Sequence, residues 1–395
     1  MPNMPQTPQQ MMDTARREAG VDIDDSAILP AVSRLVDSIN IDGQPREEGA
    51  VMLQSRITRV LKNRLRMARD FAAYPEIHEQ KIDRPIFICG MARTGSTKTQ
   101  KLLAASGDFN FLTFWKAFNP SLISGDRSES PQGRIDDADE YLQWYDERSP
   151  ETRAGHIFET HGTEEESGIL ELSMISPVWF GWSRMDSYLA WLPTVGMKDQ
   201  FDVLVRTLKY LQWQGLAETG KRWLLKSPLY SGLEPLLLDA FPDACLLMTH
   251  RTPMDTIPSG LRLLECFYKP FTDRQANPEA YVEGVKMATD AHMEWRATQP
   301  NDRFLDVPFS QLVAPPEHTL RSIYAYADEP LSDASLKRMN DWASGDMGNP
   351  QKKYGKHQYS LDQFGLTQER IATDFSNYIA FIDELEKTRA NLQVR

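Results

Sequence analysis

Residues 85–99 read Pro85-Ile-Phe-Ile-Cys-Gly90-Met-Ala-Arg93-Thr94-Gly95-Ser96-Thr97-Lys98-Thr99. The apolar run at the start predicts a buried strand, and the glycines predict a tight loop that leads into a helix. Backbone N–H groups in such a loop and at the helix N-terminus present partial positive charge to an anion. The hydroxyl groups of Thr94, Ser96 and Thr97 add donors. We therefore expect a phosphate-binding loop, and the alternative is a strand-to-helix turn that binds nothing.

The loop differs from the P-loop of nucleoside-triphosphate enzymes, GxxxxGK[ST]. Gly90 and Gly95 keep its spacing, but Ser96 stands where the lysine that reaches the β- and γ-phosphates should be. Lys98 comes two positions later, and the basic residue inside the loop is Arg93. Neither of two later predicted strands supplies an obvious acidic residue for magnesium. The pattern therefore disfavours an ATPase or a kinase.

Downstream of residue 84, short apolar segments alternate with helical ones, which is typical of βαβ units and a mainly parallel sheet. We therefore predict an α/β fold. The predicted strands are 85–89, 111–114, 223–225, 244–248 and 304–307. The predicted helices are 164–174, 198–216, 231–240, 278–295 and 335–343. The polar stretch 125–153 is expected to form an excursion over the sheet, of the kind that often lines substrate sites.

The first 80 residues are expected to form a helical segment that packs on a main domain at 81–395. Between Met11 and Glu79, apolar residues such as Leu53, Ile57 and Val60 recur at helical spacing. Several basic residues accompany them, and we interpret these as a solvated helix face, with a binding patch as the alternative: Arg56, Arg59, Lys62, Arg64, Arg66 and Arg69.

The composition narrows the classes of function. The chain has 395 residues, with 44 Lys and Arg against 56 Asp and Glu, which gives a net charge of −12. A nucleic-acid partner is not expected, because binding many phosphates needs a basic face. The three cysteines form no CxxC pair, and no apolar stretch approaches the roughly 20 residues of a membrane span. We expect a cytoplasmic protein with neither disulfides nor structural zinc.

Two further predicted strands end in polar residues of one kind. The strand at 223–225 leads into Lys226 and Ser227, and the strand from Ala244 leads into Arg251, with Ser259 on the helix that follows. An arginine at a strand end and a hydroxyl on the adjoining helix predict a second anion site. The alternative is an ordinary helix start, with Arg251 paired to a carboxylate.

These elements together resemble the PAPS-dependent sulfotransferases, in the bacterial branch with a strand-GxxRTG[ST]T loop, a later WxLKSP strand and an RxPxxxxxS element. The similarity covers most of the chain and includes the helical N-terminal segment. It implies a P-loop-like three-layer fold, with a mainly parallel sheet between helices. It also implies transfer of a sulfuryl group from 3′-phosphoadenosine-5′-phosphosulfate (PAPS) to a hydroxyl or amine, with no metal.

The resemblance also implies roles for individual residues. The loop would bind the 5′-phosphosulfate, and Arg93 would neutralise charge on the oxygen that bridges sulfate and phosphate. Arg251 and Ser259 would bind the 3′-phosphate. The residues expected at the donor site are Arg93, Thr94, Gly95, Ser96, Thr97, Lys226, Arg251 and Ser259. A basic group of Lys352, Lys353, Lys356 and His357 either adds contacts to the 3′-phosphate or forms a solvated turn.

Transfer to an acceptor requires a general base, and histidine has the best-matched unperturbed pKa. His156 is favoured because it resembles the family histidine that precedes an acidic run, and His161 is the competitor. Glu164 and Glu165 are expected to do no more than stabilise a helix N-terminus. A set of aromatic residues forms either an acceptor pocket or ordinary core: Trp115, Phe118, Trp179, Phe180, Trp182 and Trp191.

The acceptor itself is left open between a small molecule, a carbohydrate and a lipid, and so is the oligomeric state. The alternative functions are a nucleotide or small-molecule kinase with a divergent P-loop, and a nucleotide-binding module without catalysis. A requirement for ATP and magnesium would indicate the kinase. Tight product binding without turnover would indicate the module.

Overall fold

The computed structural model describes residues 4–300, 302–313, 317–345 and 359–393, and its centre is a parallel sheet. Its strands are β1 (Ile86–Cys89), β2 (Leu224–Lys226), β3 (Cys245–His250) and β4 (Phe304–Pro308), in the order β2-β1-β3-β4. Every residue of β1, β2 and β3 is buried, as expected of a parallel sheet that is covered on both faces. The predicted α/β fold with a parallel sheet is confirmed.

Helices cover both faces of this sheet. Their bounds in chain order are α1 (Pro8–Ala19), α2 (Leu29–Ser38), α3 (Glu47–Ala73), α4 (Ser96–Ala105), α5 (Phe114–Phe118), α6 (Gln132–Arg148), α7 (Ser167–Leu170), α8 (Asp186–Val195), α9 (Lys198–Trp213), α10 (Glu234–Ala240), α11 (Pro253–Tyr268), α12 (Pro278–Arg296), α13 (Ser310–Val313), α14 (Glu317–Ala327), α15 (Asp333–Ser344), α16 (Gln368–Asp374) and α17 (Ser376–Gln393).

The alternation of side chains along β1 divides the core into two sides. Phe87 and Cys89 pack in one cluster with apolar residues of α1, α2 and α3. Ile86 and Ile88 pack in another with residues of α4, α14 and α15. The sheet is therefore the middle of three layers.

The predicted strand at 111–114 was wrong. Asn110 forms a single bridge with Trp223, and Thr113 forms one with Thr163. The chain then turns into α5, where the rings of Phe114 and Phe118 stack at 5.2 Å. A short apolar run fits a strand and a buried helix equally well. Here the four-residue spacing of two buried rings stabilises the helix.

Two other predicted segments also differ. Within the predicted helix 164–174 only α7 is an α-helix, and a 3₁₀ turn over Glu171–Ser173 follows it. The polar stretch 125–153 contains α6, which packs beside α5. Tyr141 and Leu142 are buried on one face of α6, so this stretch is an amphipathic helix.

The interpretation of the α3 arginines as a solvated face was wrong for two of them. Arg56 and Arg59 are only 3% and 6% exposed. Both bind the buried carboxylate of Glu171, and the Arg56 Nε to Glu171 Oε1 distance is 2.9 Å. A buried carboxylate compensates the cost of burying these cations, which a sequence pattern does not show.

Within the described ranges, no helix is both long enough and apolar enough to cross a membrane.

Candidate active site

The loop after β1 has an unusual backbone. Gly90, Arg93 and Gly95 have φ angles of 131°, 73° and 92°. A Cβ atom on Gly90 would lie 2.3 Å from the carbonyl oxygen of Thr249, so only glycine fits beside β3. Arg93 adopts the left-handed conformation in spite of its side chain, and such strained positions cluster at functional sites.

Gly95 is the N-cap of α4, and it supplies no side-chain acceptor to the first turn. Ser96 and Thr97, in that turn, line a large cavity at the edge of the sheet. The Thr94 hydroxyl lies 2.8 Å from the Met91 carbonyl oxygen and 2.6 Å from the Thr249 hydroxyl, so it is used inside the protein. The N-terminus of α4, with Ser96 and Thr97, therefore lies at the cavity.

The two predicted anion sites lie side by side. Arg93 Nε donates to Ser259 Oγ at 3.0 Å, and Arg93 Nη1 donates to the Gly155 carbonyl at 2.9 Å. Arg251 Nη1 lies 3.3 Å from the Arg93 carbonyl oxygen, and its guanidinium stacks on the ring of Phe309. Burial lowers the pKa of Arg93 below the ordinary arginine value. Residues that follow β3 and residues of α11 thus contact the loop after β1.

Lys226 ends β2 at the same edge of the sheet. Its side chain is buried and forms an ion pair with Glu165. The neighbouring Glu166 accepts hydrogen bonds from the Lys226 backbone N–H at 2.8 Å and from the Tyr230 hydroxyl at 2.8 Å. Burial raises the pKa of Glu166 to about 8. The acidic run therefore holds the end of β2 in place.

His156 lies in the wall of the cavity that Arg93 and Lys226 also line. Its Nε2 is 3.3 Å from Glu164 Oε1, and both side chains are buried. Burial alone would raise the pKa of Glu164, but the nearby His156 lowers it below the ordinary value. His161 is exposed and does not line this cavity.

Glu164 and Glu165 were predicted only to stabilise a helix N-terminus, and that prediction was wrong. α7 begins at Ser167, while Glu164 contacts His156 and Glu165 contacts Lys226. An acidic run eight residues after a histidine was the signal that could have suggested these pairs. The sequence does not show which of the two carboxylates contacts His156 and which contacts Lys226, because that depends on how the chain folds.

The other half of the cavity is apolar. Of the aromatic residues considered from the sequence, Phe118, Phe180 and Trp182 line it. Trp115 and Trp179 are buried in the core and do not line it, and Trp191 packs against Tyr188. The wall residues that were not anticipated include Phe158, Phe267 and Arg56.

Arg56 could have been found from the pattern, because it is three residues after Leu53 and four before Val60 on the apolar face of α3. The basic group Lys352, Lys353, Lys356 and His357 lies outside the described residues.

Comparison with known proteins agrees with this architecture. Sulfotransferase STF9 of Mycobacterium avium superposes with a TM-score of 0.78 at 23% identity, over 95% of this chain and 96% of that one. Sulfotransferase STF1 of Mycobacterium tuberculosis gives 0.75 at 23% identity, over 95% and 100%. These likenesses show the fold. A comparison with curated protein sequences found no match. The model of the sulfotransferase family matches residues 85–333, which is more than half of the chain, and the protein therefore belongs to the sulfotransferase family.

Proposed function

We propose that the protein transfers the sulfuryl group of PAPS to a hydroxyl or amine of an acceptor, with His156 as the general base. The observation that carries this proposal is the contact of Arg93 with Ser259 beside His156. It brings together the loop after β1 and α11, the two proposed anion-binding elements, and Arg93 also contacts Gly155, the residue before the proposed base. A donor with a phosphosulfate and a separate phosphate needs two such elements.

The residues present fit this donor. The α4 N-terminus, with Ser96 and Thr97, would bind the phosphosulfate, because exposed N–H groups and hydroxyls stabilise an anion. Lys226 would add a positive charge on the same side. Arg251 and Ser259 would bind the 3′-phosphate, with Arg251 exchanging part of its contact with Asp255, at 3.2 Å, for the phosphate.

The bound donor would supply a sulfuryl group whose bond to the bridging phosphate oxygen breaks as a bond to the acceptor forms. His156 would take the proton that the acceptor loses. Glu164 would hold the His156 ring through Nε2 and stabilise the imidazolium, which leaves Nδ1 to accept the proton. Arg93 and the loop N–H groups would stabilise the negative charge left on the phosphate oxygen. The proposed scheme uses no metal. The cytoplasmic location that we expect from the sequence stays a prediction.

Calorimetry with adenosine 3′,5′-bisphosphate and adenosine 5′-phosphate tests the donor site. Arg251→Ala should weaken the binding of the bisphosphate by at least about tenfold, because a charge-assisted contact contributes about 1.5–3 kcal/mol. The monophosphate should change little. Arg262→Ala is the matched control, since Arg262 lies on α11 and pairs with Glu265 outside the cavity. Equal losses for both ligands would remove Arg251 from the 3′-phosphate site.

Turnover separates this function from the two alternatives. The sulfotransferase should hydrolyse PAPS or transfer its sulfuryl group without added magnesium. Stabilisation by ATP only in the presence of magnesium would indicate a kinase. Tight bisphosphate binding with no turnover of PAPS would indicate a binding module.

A further inference from the structure

We infer that the acceptor is an aromatic alcohol, bound in the apolar half of the cavity. This inference rests on the proposed function, because it takes His156 as the group that meets the acceptor hydroxyl. It narrows the acceptor from the range that the sequence left open.

Aromatic rings form a continuous wall that starts at His156. The ring centroids of His156 and Phe158 are 4.4 Å apart, those of Phe158 and Phe267 are 5.8 Å apart, and those of Phe267 and Trp182 are 6.2 Å apart. Phe267 and Trp182 are near parallel, with 29° between their planes. A flat ring whose hydroxyl meets His156 would therefore lie against further ring faces or edges, which aromatic groups favour.

Two polar side chains of this wall, those of Arg56 and Glu164, already have partners. Arg56 donates to Glu171 at 2.9 Å and to the Tyr141 hydroxyl at 2.8 Å, and its guanidinium lies 3.6 Å from the Trp182 ring centroid. Glu164 is held by His156. A carbohydrate would bury several hydroxyls here without matching partners, and each such group costs about 1–3 kcal/mol. The wall therefore selects against sugars.

Further aromatic side chains line the same cavity. Phe114, Phe118 and Trp182 line it, and each is less than a tenth exposed. Arg56 also lines the cavity, stacks on the ring of Trp182 and is bound to Glu171. Ring faces and edges attract another aromatic ring more specifically than a flexible aliphatic chain, so an aromatic acceptor fits this wall better than an extended lipid. Phe158 and Phe267, nearer His156, are only half-buried and leave ring surface for a ligand.

Calorimetry with 2-naphthol, 1-decanol and glucose tests this inference, each without and with adenosine 3′,5′-bisphosphate. We expect 2-naphthol to bind at least about tenfold more tightly than 1-decanol, and glucose to show no binding. Phe267→Ser should weaken the binding of 2-naphthol by about tenfold or more, since a lost aromatic contact removes both buried area and stacking. Phe111→Ser is the matched control, because Phe111 is also half-buried but packs in the cluster on the other side of the sheet.

Phe158→Leu keeps the wall apolar, is milder for folding and removes only the ring. It should still weaken the binding of 2-naphthol, by about threefold or more, and leave the binding of 1-decanol unchanged. Equal binding of 2-naphthol and 1-decanol, or tight binding of glucose, would overturn the inference, as would absence of 2-naphthol binding by the folded protein. If 2-naphthol binds as expected while the bisphosphate does not bind, the aromatic site stands and the sulfuryl-transfer proposal fails.

Discussion

His156 and His161 lie five residues apart in the sequence but in different surroundings. His156 is buried against Glu164 and the ring of Phe158, on the wall that also carries Arg93. His161 is exposed in a turn. A base needs a position next to the reacting hydroxyl before its pKa matters, so the geometry favours His156.

We expect His156→Ala to lower turnover of PAPS with an acceptor by about 10²–10⁴-fold, the usual contribution of a general base. Binding of adenosine 3′,5′-bisphosphate should be unchanged, because the proposed donor contacts do not include His156. Steady-state kinetics and calorimetry measure the two effects. His161→Ala should retain turnover, and the reverse result for the two variants would move the base to His161.

We expect Glu166 to make the stability of the protein depend on pH. Burial raises its pKa from 4.5 to about 8, so the folded protein keeps this proton when the unfolded chain has lost it. The free energy of unfolding should therefore fall as the pH rises from about 4.5 to about 8, by at most about 1.4 kcal/mol per pH unit. Urea unfolding at several pH values should show this extra fall in the wild type relative to Glu166→Gln. Identical pH profiles would mean that Glu166 is ionised in the folded protein.

The first turn of α3 lies close to the backbone of a distant part of the chain. The Arg46 N–H before it donates to the Phe271 carbonyl at 2.9 Å. Gly49 in its first turn lies so close that a Cβ atom would be 2.0 Å from the same oxygen. A backbone atom cannot move aside as a flexible side chain would, so the helix requires glycine here.

Gly49→Ala should lower the free energy of unfolding by about 1–3 kcal/mol or more, the range of overpacking. Gly284→Ala is the matched control within α12, where an added Cβ would meet nothing within 4 Å. This control should be neutral or stabilising by about 0.5–1 kcal/mol, because alanine favours a helix over glycine. Urea denaturation measures both, and equal effects would contradict the close approach.

Across the whole molecule, the buried cluster of Arg56, Arg59 and Glu171 joins the N-terminal helices to the rest of the chain. In addition, one hydrophobic core cluster contains residues of α1, α2 and α3 together with residues of β1 and β3. We therefore expect the division at residue 80 to separate two parts of one folding unit.

Glu171→Gln tests that expectation, since it leaves two buried guanidinium groups without their carboxylate. The free energy of unfolding should fall by about 3–5 kcal/mol, in a single transition that includes the N-terminal helices. Asp341→Asn removes an exposed ion pair with Lys337 and should change stability by less than about 1 kcal/mol. A separate early transition of the N-terminal segment, seen by circular dichroism, would contradict a single folding unit.

Most of the sheet was predictable, because an apolar run before Gly90 and similar runs before Lys226 and Arg251 are local patterns. Local patterns report burial and backbone geometry, and they placed the glycine-containing loop between β1 and α4. They failed at 111–114, where strand and helix fit equally well and packing of Phe114 on Phe118 chose the helix.

Sequence pattern alone therefore established the α/β order, the loop and the basic residues at the strand ends, because each depends on neighbours a few positions away. Tertiary structure alone placed Ser259 on Arg93, across 166 residues, and Glu164 on His156. It also buried Arg56 in the cavity wall, against the ring of Trp182. Such contacts arise from how helices pack on the sheet, and the net charge of −12 gives no sign of them.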